Sequence, residues 1–66
     1  MEIIINGKKQ SYTGTLTVHG LLQSLNIDPG AVFVERNLKI VARMEFEHEP
    51  VNEGDSIEII HFVGGG

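Results

Sequence analysis

Sixty-six residues make one small domain, and a chain of this size buries only roughly 60% of its unfolded surface, too little to enclose a deep catalytic cleft. An apolar content of 41% with 21% charged residues is that of a folding domain, and the lack of cysteine excludes a disulfide framework and a thiolate metal site. Five basic against nine acidic residues give a net charge of -4, which argues against nucleic acid and anionic lipid as partners.

No run approaches the ~18 apolar residues of a membrane span, and the N-terminus lacks a basic segment followed by an apolar run and small residues. The expectation is a soluble, cytoplasmic protein. Six of the nine acids (Glu45, Glu47, Glu49, Glu53, Asp55 and Glu58) crowd into the last third. Two readings stand for them: steering of a basic partner surface, or a solvated acidic surface that aids solubility.

Met1 to Ile5 is an isoleucine-rich strand, and Asn6-Gly7 predicts a two-residue type I′ hairpin. The returning strand, about Lys9 to Thr13, is polar apart from Tyr12, as suits an edge guarded by Lys8 and Lys9. From Val18 the apolar residues fall at Val18, Leu21, Leu22 and Leu25, one face of a short helix. Thr17 is placed to cap it, with Leu16 and Leu21 as a hydrophobic staple. Asp28-Pro29-Gly30 ends the helical region, because proline lacks an N–H and restricts its predecessor.

Ala31 to Arg36 alternates Val32 and Val34 against Phe33 and Glu35, a half-buried strand. Asn37 starts a tight turn and Leu38 to Val41 resumes a short strand. Residues 42–49 read as irregular. Glu53-Gly54-Asp55 marks a turn, and Ser56 to Val63, the longest β-favouring run, leads directly into Gly64-Gly65-Gly66. Hairpin, helix, strand, short strand, strand is an α+β layer pair, one helix covering one face of a mixed sheet. The first and last strands, the most apolar, are expected to be central neighbours.

Alternation then assigns faces. Met1, Ile3, Ile5, Ile57 and Ile59 suit the core under the helix; Ile4, Phe33, Ile60 and Phe62 fall on the uncovered face and form a candidate partner-binding patch. The alternative is scattered surface hydrophobes. His19, His48 and His61 lack any metal-ligand spacing, no serine or threonine sits in a nucleophile elbow, and no phosphate-binding loop is present. The chain reads as no enzyme.

The terminal glycines are a frayed end, an engineered remnant or the working part. Three of them extend about 10 Å at roughly 3.3–3.6 Å each, and without Cβ atoms they pass where side chains jam. The carbonyl of Gly66 is open to a nucleophile once a separate ATP-using enzyme has activated it.

Together, Ile3-Ile4-Ile5-Asn6-Gly7, Thr17-Val18 with Leu21-Leu22, Val34-Glu35-Arg36-Asn37 followed by Ile40-Val41, Glu53-Gly54-Asp55 before Ile57-Glu58-Ile59, and Val63-Gly64-Gly65-Gly66 resemble the ThiS family, the sulfur carriers of thiamine biosynthesis. The match runs the length of the chain, and the motifs, weak singly, are specific jointly. The resemblance implies a β-grasp (ubiquitin-like) fold with a mixed four- to five-stranded sheet, a domain over residues 1–63 and a flexible glycine tail over 64–66. It implies adenylation of Gly66 by a ThiF-like adenylyltransferase, conversion to a thiocarboxylate with sulfur from a persulfide donor, and delivery to a ThiG-like thiazole synthase. No bound cofactor, catalytic residue or metal is implied in this chain, ATP being used by the activating partner. Gly64 exceeds the two glycines the family pattern needs. The small subunit of molybdopterin synthase shares the fold and the chemistry on longer chains, and a ubiquitin-like modifier or interaction module is a further alternative. The length and Glu58-Ile59-Ile60-His61 favour the thiamine branch.

Overall fold

A computed structural model describes residues 1–62 of the chain. In chain order they form β1 (Glu2–Ile5), β2 (Lys8–Ser11), β3 (Leu16–Thr17), α1 (Val18–Ser24), β4 (Val32–Arg36), β5 (Lys39–Val41), β6 (Pro50–Val51) and β7 (Ser56–His61), with short 3-10 turns at Pro29–Ala31 and Arg43–Glu45.

Local chemistry sets both hairpins. Asn6 and Gly7 take φ of 48° and 83° between paired Ile5 and Lys8, the two left-handed residues that a type I′ turn requires. Asn37 and Leu38 repeat this between Arg36 and Lys39, at 51° and 71°. Leucine is poorly suited to that region, so the second turn carries strain that the first avoids.

The five longer strands form one sheet in the order β2-β1-β7-β4-β5. β1 runs parallel to β7 and every other neighbouring pair is antiparallel, so the first and last strands are central neighbours, as their composition predicts. β3 and β6 make a separate two-stranded ladder, Leu16 opposite Val51 and Thr17 opposite Pro50. That ladder is not foreseen by the sequence, because two residues are too few for alternation to register.

A seven-residue helix is too short to persist alone. Tertiary packing holds it: Val18, Leu21 and Leu22 are fully buried against Ile3, Ile57, Val32 and Val34, each such side chain contributing about 1.5–3 kcal/mol. Its first N–H groups are all satisfied, Val18 by the Glu49 carbonyl, His19 by that of Phe46 and Gly20 by Thr17 Oγ1 at 3.1 Å. Residues 42–49 are therefore irregular in form but fixed in place, with Phe46 in the core.

Gly20 sits within this helix at ordinary dihedrals. A Cβ there would meet Leu16 Cδ1 and Thr17 Oγ1 at 3.5 Å, ordinary van der Waals contact. Gly20→Ala should therefore raise stability by about 0.5–1 kcal/mol, read as an upward shift of the urea midpoint; a downward shift would show that the helix cannot accommodate the methyl group.

Candidate functional site

β7 is the strand that carries the chain towards its glycines, and it is held on both sides. β4 pairs with it from Val32↔His61 to Arg36↔Ile57, and the Phe62 N–H donates to the Ala31 carbonyl at 3.0 Å. On the other side β1 ends early, and Asn6 continues the pairing with its side chain. Its Oδ1 accepts from the Ile59 N–H at 2.8 Å while Nδ2 donates to the Ile59 carbonyl at 3.3 Å. The amide thus imitates one more residue of strand.

The root of β7 is fixed by a polar cluster that the sequence reading missed. Asp55, only 6% exposed, accepts from Arg36 Nε at 2.7 Å, Asn37 Nδ2 at 3.0 Å and the Asn52 N–H at 2.7 Å. Arg36 Nη1 also reaches Glu49 Oε2 at 2.9 Å. Burial alone would raise the Asp55 carboxyl, but the hydrogen bonds from Arg36, Asn52 and Asn37, with the charge of Arg36, hold it below its ordinary value. Hydrogen bonds to Asp55 and then Glu49 raise Arg36 above its own. The signal in the sequence was Arg36-Asn37 and Asp55, each beside a turn.

This cluster corrects the acidic-surface expectation. Asp55 is buried and Glu49, half-buried, is paired with Arg36, so neither is a free surface charge. Glu45, Glu47 and Glu53 remain exposed and Glu58 half-buried.

On the sheet face away from the helix, Phe33 lies directly opposite Ile60. Phe62 meets the Phe33 ring edge-on, with centroids 4.4 Å apart and planes at 68°. Ile40, which pairs with Glu35 and so shares this face, extends the cluster over β5. Exposures of 50% for Phe33, 47% for Ile60, 44% for Phe62 and 71% for Ile40 leave it open to a partner. A shallow depression of about 150 Å³ adjoins it, lined by Phe33, Ile40, Ala42 and Phe46 among others.

Ile4 does not belong to this cluster. It is on the same face but pairs with Ser56, four residues from Ile60 along β7, about 13 Å at ~3.3 Å per residue. Alternation assigned the right face; the parallel register, which alternation does not encode, put Ile4 at the far end. Ile40 was missed because a three-residue strand offers too little pattern.

Val63 and the predicted tail, Gly64, Gly65 and Gly66, lie outside the described residues, as does the expected boundary between a domain over 1–63 and a tail over 64–66. Among the described residues no group of three or more His, Asp or Glu side chains is arranged to hold a metal, and no helix is long and apolar enough to cross a membrane. His19 is half-buried on the helix, while His48 and His61 are exposed.

A five-stranded mixed sheet with parallel central strands and one helix across a face defines the ubiquitin-like β-grasp class. A thiamine biosynthesis protein (ThiS) from Geobacter metallireducens superposes with a TM-score of 0.87 at 35% identity, covering both chains in full. The sequence model of the ThiS family matches residues 3–66, and the chain belongs to that family. The sulfur carrier protein ThiS of Bacillus subtilis is 38% identical over 63 residues, 94% of this chain and 96% of that protein. A thiazole synthase of Paramagnetospirillum magneticum is 42% identical over 66 residues, and the chain spans 20% of its length.

Proposed function

We propose that this chain is a sulfur carrier for thiazole formation in thiamine biosynthesis, a protein substrate rather than an enzyme, with Gly66 as the atom-bearing terminus. Family membership over residues 3–66, a span that includes Gly64-Gly65-Gly66, carries the reading. The Gly66 carboxylate displaces pyrophosphate from ATP on a ThiF-like adenylyltransferase and becomes an acyl-adenylate. A persulfide sulfur attacks the carbonyl and expels AMP, and a thiol then cleaves the resulting S–S bond, leaving the thiocarboxylate as nucleophile for thiazole synthase. Residues 1–63 are the domain that the partners grip, and 64–66 the tail that enters their active sites. The carrier itself needs no bound cofactor, and its place is the cytoplasm, where ATP and the activating enzyme are available.

Similarity to the Bacillus subtilis carrier and to thiazole synthases favours the thiamine branch over a molybdopterin synthase subunit. Incubation with the activating enzyme, ATP and a persulfide donor should add about 16 Da at the C-terminus, one oxygen exchanged for sulfur. An unchanged intact mass, under conditions that load a known carrier, would refute the role. Isopeptide adducts to lysine through Gly66 in cell extract would instead mark a protein modifier.

A further inference from the structure

Of the asparagines in the chain, Asn6 alone is followed by glycine; Ile27, Leu38 and Glu53 follow Asn26, Asn37 and Asn52. In an Asn-Gly step no Cβ shields the next backbone nitrogen, which can attack the asparagine side-chain carbon. Asn6 and Gly7 are both exposed, and a Cβ built on Gly7 would have nothing within 4 Å, so the step is open to water.

The fold makes two demands on Asn6. Its backbone lies at φ 48°, in the left-handed region that glycine, asparagine and aspartate enter most readily. Its side chain stands in for missing strand. The Asp55 and Ile57 carbonyls point towards β1 and accept from the Ile4 and Asn6 N–H groups, while Ser56 and Phe62 bond on the other side, to Asn37 and Ala31. Ile59 therefore also points towards β1, but beyond its last residue, and the Asn6 amide serves its N–H at 2.8 Å and its carbonyl at 3.3 Å. Glycine meets the first demand without the second, and aspartate supplies an acceptor but no donor.

We propose that Asn6 is a deamidation site gated by this clamp: opening of the far half of β7 frees the amide for attack, and the product cannot close the clamp again. The Gly7 nitrogen loses its proton and bonds to Asn6 Cγ while the Cγ–Nδ2 bond breaks and ammonia leaves. Water then opens the succinimide at either carbonyl, giving aspartate or isoaspartate with no change of oxidation state. Aspartate sets a carboxylate against the Ile59 carbonyl, acceptor facing acceptor, and leaves that part-buried carbonyl without its donor. Isoaspartate lengthens the main chain inside a turn that has room for two residues between Ile5 and Lys8. Either product adds a negative charge to a chain already at -4. Because the reaction is irreversible, the deamidated fraction records how often β7 has opened, in the strand that runs on to Val63-Gly64-Gly65-Gly66.

The native chain, held in mildly alkaline buffer with and without guanidinium chloride and followed by peptide mapping and mass spectrometry, tests this. Deamidation should fall at Asn6 and spare Asn26, Asn37 and Asn52, and should be about tenfold or more slower in the folded chain, in proportion to the rarity of opening. In Asn6→Asp the Ile59 amide should exchange its hydrogen about tenfold or more faster than in the native chain, a larger change than at Ile3. Asn6→Gly keeps the left-handed turn and removes only the side chain, so it should show the same loss at Ile59 and no deamidation at this step. Equal rates in the folded and unfolded chain, or deamidation centred on another asparagine, overturn the gate. Native protection of Ile59 in both variants overturns the clamp as the thing that deamidation destroys.

Discussion

A chain shortened by Gly65 and Gly66 should keep the thermal midpoint of the full protein and gain no sulfur when offered the activating enzyme, ATP and a persulfide donor. The stability half of the expectation follows from the core, whose members run from Ile3 to Ile59. The chemical half follows from reach and bulk. The truncated chain still ends in a carboxylate, but that group is withdrawn by about 7 Å at ~3.3–3.6 Å per residue, and Val63 would have to enter a passage made for glycine. A variant with Gly65→Ala and Gly66→Ala separates these causes. It restores the length and adds two Cβ atoms, so its loading should be strongly slowed rather than restored. Intact mass spectrometry reads every outcome as presence or absence of the sulfur increment. Loading of the truncated chain at the native rate would show that the terminal glycines are not the handle.

The second large effect concerns Asp55. Asp55→Ala leaves the Arg36 guanidinium, the Asn52 N–H and the Asn37 amide short of an acceptor they share in a buried position. Removing one member of such a cluster exposes the others to an unpaid desolvation penalty, about 3 kcal/mol here, at the low end of buried pairs because Arg36 keeps 23% of its side chain exposed. In a domain this small that is a drop in thermal midpoint of roughly 12–24 °C. The pH dependence has a definite sign. The folded-state carboxyl is held below the ordinary value of 3.8, so its ionised form stabilises the fold at all pH values above that. The contribution is lost as pH falls below 3.8 towards the folded-state value. The stability gap between the native chain and Asp55→Asn should therefore be full at neutral pH and close progressively in that acid window. A gap that persists undiminished to the acid limit, or that is absent at neutral pH, would show that the ion pair is not what fixes the root of β7.

Both effects bear on one arrangement. The Asp55 cluster joins the β4–β5 turn, the segment before β7 and, through Glu49, the stretch that satisfies the N-terminus of α1. Asn6 and Ala31 then clamp the far half of β7. The strand that leads to the terminus is thereby an interior strand paired on both sides, as β1 and β4 are, and is tied to its neighbours at its root and along its far half.

The elements legible in the residues were those whose cause is local. Asn6-Gly7 demanded a type I′ turn, Thr17 a helix start, Val18-Leu21-Leu22 a buried helical face and Ser56 to His61 a strand, because each rests on a dihedral preference or a period that a few consecutive residues express. The faces of β4 and β7, and hence the cluster of Phe33, Ile60 and Phe62, were legible for the same reason. What tertiary structure alone decided was everything that depends on how far one strand slides along another. The parallel register of β1 on β7 separates Ile4 from the cluster, the β4–β7 register sets Glu35 opposite Glu58, and the closing of distant turns brings Asp55 to Arg36. Period-2 alternation fixes which side of a sheet a residue faces, but carries no coordinate along the strand; that coordinate comes from hydrogen bonds between segments far apart in sequence, formed only once the whole sheet has assembled.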